Sequence, residues 1–563
     1  MDDFLEGSVE GVVDVGAGRV RGRERGGVWA FLAIPYARSP AGPLRWRPPQ
    51  TPEPWTGVRD AFDPGPVCPQ VPPARATSIP GDPLEQGEDC LHLSVWTPGL
   101  GAARSGDVAG SKGAAGSGGT TGRPVMVWIH GGGFTTGTAG SVLYDGSDLA
   151  RRGDVVVVGV NYRLGALGFL AHPAFAAGGG GNGSGDGSGG GIWANWGLLD
   201  QVAALRWEQR NIGAFGGDPS NVTLFGESAG AMSVSALLAM PAARGLFHRA
   251  IVESGPPYTF GAQRAAEAAG AVAKQLGIVE VRREVLEQVP ASDLVAAVAS
   301  LQRGPARPGE ITLPLLPVID GLTLPVEPLE AVAAGAAAGV PLIVGTNRDE
   351  MAFFGLSDLA MAGMDEEQLL RRLRRSAPWA DAEVVVDTYR RARLSRGEAV
   401  TPRDLWVAAA SDVVFRWPSL RLATAQRAHQ SKTFVYLFTW ETPAFRGALG
   451  SCHALEIPFV FGTVRTSAVA KFAGDGPDAE SLSEDMQAAW LAFVRTGDPA
   501  SPRLGEWPAW DPERRPTMVF DRESQVCEAP RDEELAAWEP LQPLPAPMGG
   551  GGSVAGVGNA AGT

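Results

Sequence analysis

The sequence predicts an α/β fold in which a large, mostly parallel sheet is covered by helices on both faces. Three observations carry this expectation. Apolar runs of strand length recur along the chain, and they are continuous rather than alternating, as in strands buried on both faces. Stretches with helical spacing of apolar residues separate several of these runs. The pentapeptide GESAG, residues 226–230, follows an apolar run and leads into a small-residue segment of helical spacing, so Ser228 falls on a sharp strand-to-helix turn.

In chain order, strands are expected at residues 125–129 (VMVWI), 155–160 (VVVVGV), 221–225 (NVTLF), 251–253 (IVE), 342–345 (LIVG) and 434–438 (FVYLF). Helices are expected at 229–240, 262–276, 294–301, 366–375 and 483–496. Two segments rich in Gly, Ala and Ser, 99–122 and 176–191, cannot bury enough apolar area to fold alone and read as surface insertions. The Gly-rich tail at 548–563 reads as disordered for the same reason. Residues 1–547 read as a single domain, because large α/β folds commonly build one continuous sheet with long excursions.

Composition narrows the classes of partner. The chain has 563 residues, 44% of them hydrophobic and 20% charged, which suits a well-packed soluble domain. A net charge of −14 repels phosphate backbones and anionic lipid, so neither nucleic acid nor a membrane surface is expected as a partner. A small uncharged or cationic molecule is. The first residues, Met1, Asp2 and Asp3, open no basic or apolar leader, and no apolar run has spanning length. The expectation is therefore no export signal, no membrane span and a cytoplasmic location, with extracellular release left open. Four cysteines without CxxC spacing predict neither a zinc site nor a disulfide scaffold, and no cofactor is expected. Oligomeric state leaves no local signature.

The chemistry starts at Ser228. A serine on a strand-to-helix elbow presents its hydroxyl at the end of the sheet, and glycines at 226 and 230 suit a sharp turn with a closely packed helix. After the run ending at Ile129 comes His130-Gly131-Gly132-Gly133, whose backbone can approach a ligand closely. The N–H groups of Gly132, Gly133 and Ala229 are the expected oxyanion hole.

A serine nucleophile needs a base, and six histidines allow elimination. His130 belongs to the glycine loop, and His92 alternates within a strand-like run. His248 lies in a helix-like GLFHRAI, His172 follows an apolar run, and His429 stands in a polar helical stretch. His453, in a loop after the run at 434–438, remains. The acid is expected between serine and histidine in the chain, and Asp349 and Glu350 both follow the run at 342–345. Glu350 is preferred and Asp349 held in reserve; the order Ser, acid, His is that of an α/β hydrolase.

Several long strings then resemble the type B carboxylesterase and cholinesterase family, over about residues 9–510. They are FLAIPYA (31–37), LRWRPP (44–49), EDCLHLSVW (88–96), NYRLGALGF (161–169), NWGLLDQ (195–201), FGGDPSNVTLFGESAGA (215–231) and HALEIPFVFG (453–462). The resemblance implies an α/β-hydrolase fold with helical excursions around an active-site gorge, and a serine carboxylesterase acting through an acyl-serine on small-molecule esters. An amidase or carbamate hydrolase using the same triad, and an inactive binding module, are the alternatives. The resemblance decides for Glu350, although Met351 stands where the family usually has glycine after the acid. It also implies that Phe353 and Phe354 line the gorge, that Glu227 and Ser254 form a polar shell around the triad, and that Cys68 and Cys90 pair near the gorge mouth. Residues 69–89 contain no Trp to stack on a quaternary ammonium, so choline esters are not expected substrates.

Overall fold

The computed structural model describes residues 9–72, 82, 85–101, 122–176, 193–302 and 313–538. Nearly all of both expected insertions, and the whole expected tail, lie outside the described residues. The sheet opens with β1 (Val9–Asp14), β2 (Arg19–Arg25), β3 (Val28–Pro35), β4 (Val58–Asp60) and β5 (His92–Thr97). Its centre comprises β6 (Arg123–Ile129), β7 (Val156–Val160), β8 (Gly217–Glu227) and β9 (Arg249–Glu253). A separate parallel pair, β10 (Phe260–Gly261) and β11 (Val318–Ile319), stands apart. The main sheet then continues through β12 (Leu342–Asn347), β13 (Thr433–Phe438), β14 (Pro516–Phe520) and β15 (Gln525–Glu528).

The spatial order is β1-β2-β3-β5-β7-β6-β8-β9-β12-β13-β14-β15, with β4 beside β2. The strands from β7 to β14 pair in parallel, whereas β1, β2, β3 and β5 pair antiparallel in succession and the last strand, β15, pairs antiparallel with β14; the short β4 joins β2 in parallel. Every strand expected from an apolar run lies in this parallel centre. There the side chains of β7, β12 and β13 are buried on both faces, which is why no alternation shows in the sequence.

Expected helices are found at Ala229–Ala239, Ala262–Gln275, Ala291–Gln302, Glu366–Ser376 and Pro477–Thr496. The last begins six residues earlier than its apolar spacing shows, since Pro477 opens the first turn and Asp478 and Glu480 occupy it, polar choices suited to a helix N-terminus. One reading is corrected. His248 is not helical: its N–H donates to Val222 O at 2.8 Å and β9 starts at the next residue.

Two parallel registers place the site. Ile129 on β6 stands beside Gly226 on β8, and Glu227 on β8 beside Glu253 on β9. The carboxyl ends of β6, β8, β9 and β12 therefore meet at one edge, where open α/β sheets bind their ligands.

Candidate active site

Ser228 follows β8 and precedes the helix Ala229–Ala239, with φ 56° and ψ −124°, a conformation rare for a residue with a side chain. Two hydrogen bonds hold it: Ser228 N–H donates to Glu253 O at 2.9 Å, and Met232 N–H donates to Ser228 O at 2.8 Å. The flanking glycines are where helix and sheet touch. A Cβ at Gly226 would stand 2.6 Å from Ile129 O, and one at Gly230 only 1.9 Å from the same oxygen. Residues 222–227 and 229–240 are all buried, so Ser228 is the one partly exposed position of the elbow.

The glycine loop runs alongside. A Cβ on Gly131 would lie 3.1 Å from Ser228 Cβ. Gly132 and Gly133 have φ of 111° and 60°, conformations that side chains resist. The Gly132 carbonyl accepts from Thr135 N–H at 3.1 Å and from Thr136 N–H at 3.0 Å, which pins the turn. Among the described residues, the N–H groups of Gly132, Gly133 and Ala229 have no acceptor. His130 belongs to the packing: its ring stacks on Tyr162 with centroids 4.5 Å apart, and burial pushes its pKa down to about 4.

The other half of the site grows from β12. Asn347 N–H donates to Glu350 Oε1 at 2.8 Å, and Glu350 Oε2 lies 2.5 Å from His453 Nδ1. Glu350 is fully buried. Asp349 has other work: its Oδ2 takes Arg348 at 2.7 Å and Ser451 N–H at 2.9 Å, tying the acid loop to the histidine loop. The remaining histidines each meet a backbone partner: His92 at Pro66 O, His429 at Ala333 O, His172 at Ala174 N–H and His248 at Val222 N–H.

On its far side, His453 Nε2 lies 3.0 Å from Glu227 Oε1, but that oxygen is off the hydrogen-bonding axis and has no hydrogen-bond partner among the described residues. Two further buried carboxyl groups belong to this cluster, Glu456 acting on the imidazole and Glu253 on Glu227 and Glu456, and sequence reasoning missed both. Glu456 accepts from Asn347 Nδ2 at 2.5 Å, and Glu253 accepts from Trp490 Nε1 at 2.9 Å. Glu456 follows His453 by three residues within a motif already quoted, whereas Glu253 needed the strand register to be seen. Ser254 is buried with φ 53°, and its N–H donates to Gly345 O at 2.8 Å. Its hydroxyl touches no partner among the described residues.

Charge follows from this crowding. Burial opposes the His453 cation, but Glu227 and Glu350 outweigh it and hold the pKa above the ordinary value, at about 9. Burial pushes Glu227 well above the usual carboxylate range, against the pull of His453. Burial and the neighbouring Glu350 likewise raise Glu456, to about 7.

Three phenylalanines cover the imidazole. Phe354 and Phe415 each place a ring centroid 5.0 Å from that of His453, and Phe353 lies 6.4 Å away. Phe353 and Phe354 meet edge to face, while Phe354 and Phe415 lie nearly parallel. Phe415 lies in the stretch 405–420, whose placement the sequence leaves open, and sits on a π-helical turn, Asp412–Arg416, a feature with no simple apolar period. Cys68 and Cys90 are both buried and both free thiols, so the pairing implied by resemblance is not formed here. The Cys90 thiol is held in its neutral form by a hydrogen bond with Cys68 and by burial.

A parallel sheet, a strained serine at its carboxyl edge and a buried Glu–His pair beside it define an α/β-hydrolase-fold enzyme. The Carboxylesterase family profile matches residues 9–538, and the chain belongs to this family. It is a carboxylic ester hydrolase. The chain is 38% identical to the para-nitrobenzyl esterase of Bacillus subtilis, over 93% of its own length and 97% of that protein. It is 34% identical to the phenmedipham hydrolase of Pseudarthrobacter oxydans, over 92% and 96%. Among solved structures, a PNB esterase superposes with a TM-score of 0.77 at 36% identity, over 93% of this chain and 99% of that one. A carboxylesterase of Geobacillus stearothermophilus gives 0.77 at 37%, over 94% and 99%. No helix among the described residues is long and apolar enough to cross a membrane.

Proposed function

We propose that Ser228, His453 and Glu350 form the catalytic triad of a carboxylesterase that prefers short to medium acyl chains or aromatic esters. The observation that carries the triad is the 2.5 Å contact between Glu350 Oε2 and His453 Nδ1, beside a serine held on a strained elbow. His453 Nε2 takes the proton as Ser228 Oγ attacks the ester carbonyl, while Glu350 fixes the tautomer and stabilises the cation that forms. The N–H groups of Gly132, Gly133 and Ala229 bind the tetrahedral oxyanion, each donor contributing on the order of 3 kcal/mol. The alcohol leaves with the proton from His453. Water, deprotonated by the same nitrogen, then releases the acid from the acyl-serine. No step calls for a metal or cofactor.

The substrate preference rests on the half-buried Phe353 and Phe354, which offer flat apolar surface beside His453, with the buried Phe415 backing Phe354 and the imidazole. Hydrolysis of p-nitrophenyl esters from acetate to palmitate tests both parts. The expected result is highest kcat/KM on short or medium chains, and activity reduced to background in Ser228→Ala. Best activity on palmitate would refute the chain-length preference, and a fully active Ser228→Ala enzyme would refute the triad.

A further inference from the structure

Beside the π-helical turn that carries Phe415 lies a small cavity lined by Arg348, Arg393, Asp412, Arg416, Arg531 and Glu534, with room for a water-sized occupant. Arg416 is 6% exposed, and its Nη1 has no hydrogen-bond partner among the described residues. Its ion-pair partner Asp412 holds Oδ1 3.8 Å from this nitrogen, and Asp412 is engaged by Tyr389 Oη at 2.6 Å.

The neighbouring charges do not balance. Glu398 is gripped by Arg393, Arg396 and Arg531 at 3.3, 3.0 and 2.7 Å. Glu534 is shared between Arg396 at 2.6 Å and Arg531 at 3.3 Å. Arg348 is answered on its outer side by Asp349 and Glu441. The remaining four guanidinium groups, Arg393, Arg396, Arg416 and Arg531, thus face three buried or half-buried carboxylates, Glu398, Asp412 and Glu534. The further acid at Arg396, Glu533, has a side chain 65% exposed at 3.4 Å and lies on the solvent side.

A buried charged donor left unmet is costly, so the cavity needs an occupant that accepts hydrogen bonds. Water would meet the donor and leave the surplus positive charge; an anion meets both, and the small volume limits it to a single atom. We infer that this cavity, beside Arg416 Nη1, is a binding site for one halide-sized monovalent anion, with chloride the physiological occupant. Arg416 adjoins Phe415 on the same turn and Arg348 is two residues from Glu350, so the site braces both the aromatic and the acidic walls of the active site.

The test has two arms. Crystals of the wild-type protein soaked in sodium bromide should show an anomalous peak within hydrogen-bonding reach of Arg416 Nη1, and this arm needs no variant. In solution, chloride in place of gluconate at fixed ionic strength should raise the wild-type Tm by roughly 2 °C or more and leave Arg416→Met unmoved. No bromide at Arg416, or equal wild-type Tm in the two salts, overturns the site. A shift by acetate as large as that by chloride overturns the assignment to a single-atom anion.

Discussion

The two halves of the active site are built by different means. On the nucleophile side, the loop His130–Gly133 and the elbow at Ser228 work through backbone: positive φ angles, missing Cβ atoms and N–H groups without acceptors. On the histidine side, Glu227, Glu350 and Glu456 are brought from separate segments to act on one imidazole, with Glu253 behind them, and the work is electrostatic. The first half tolerates no added atom. The second tolerates isosteres but responds to charge. Steric precision is thus concentrated at the proposed oxyanion hole, and charge at the proposed base.

That contrast can be broken from either side. The largest effect is expected in Glu350→Gln, an isostere that stops the acid from fixing the His453 tautomer. Its kcat should fall on the order of 10^3-fold with little change in Tm, as stopped-flow or steady-state hydrolysis and a melting curve will show. Next comes Gly230→Ala. A Cβ 1.9 Å from Ile129 O forces helix and sheet apart, and a stability loss of about 3 kcal/mol or more is expected in urea titration.

A smaller change is expected in Glu227→Gln. Removing this carboxylate weakens the hold on the imidazolium, so the acid limb of kcat/KM should move down from about 9 toward the ordinary 6.5. The sign for stability follows from the same shift. A raised folded-state pKa contributes stability that is fully present below about 6.5 and lost as pH rises through about 9. The wild-type Tm should therefore decline across that window, and Glu227→Gln should decline less. The smallest effect is expected in Phe415→Ala, with KM for an aryl ester raised several-fold and KM for ethyl acetate nearly unchanged.

The same contrast explains what could be read from the sequence. Backbone devices leave local signatures: GESAG, the HGGG loop and the largely buried strands β6, β7, β8, β9, β12 and β13 follow from glycine spacing and continuous apolar runs. Glu350 was reachable because it closely follows β12, and His453 because the other five histidines could be set aside. The antiparallel strands β1 and β2 leave no such run, since their side chains are largely exposed or half-exposed and interleaved with charge. Glu253 acquires meaning only through its register with Glu227, and Phe415 only through a π-helical turn packed against a loop 38 residues further along the chain (453 − 415). Electrostatic surroundings assembled across strands have no local pattern to detect.

The central claim is that Ser228 is the nucleophile, and covalent labelling tests it most directly. Wild-type protein treated with a fluorophosphonate and digested should carry the adduct on the peptide containing Ser228, one per chain, and Glu350→Gln should label more slowly at the same residue. An unlabelled wild type that hydrolyses esters, or an adduct on any other residue, would contradict the account.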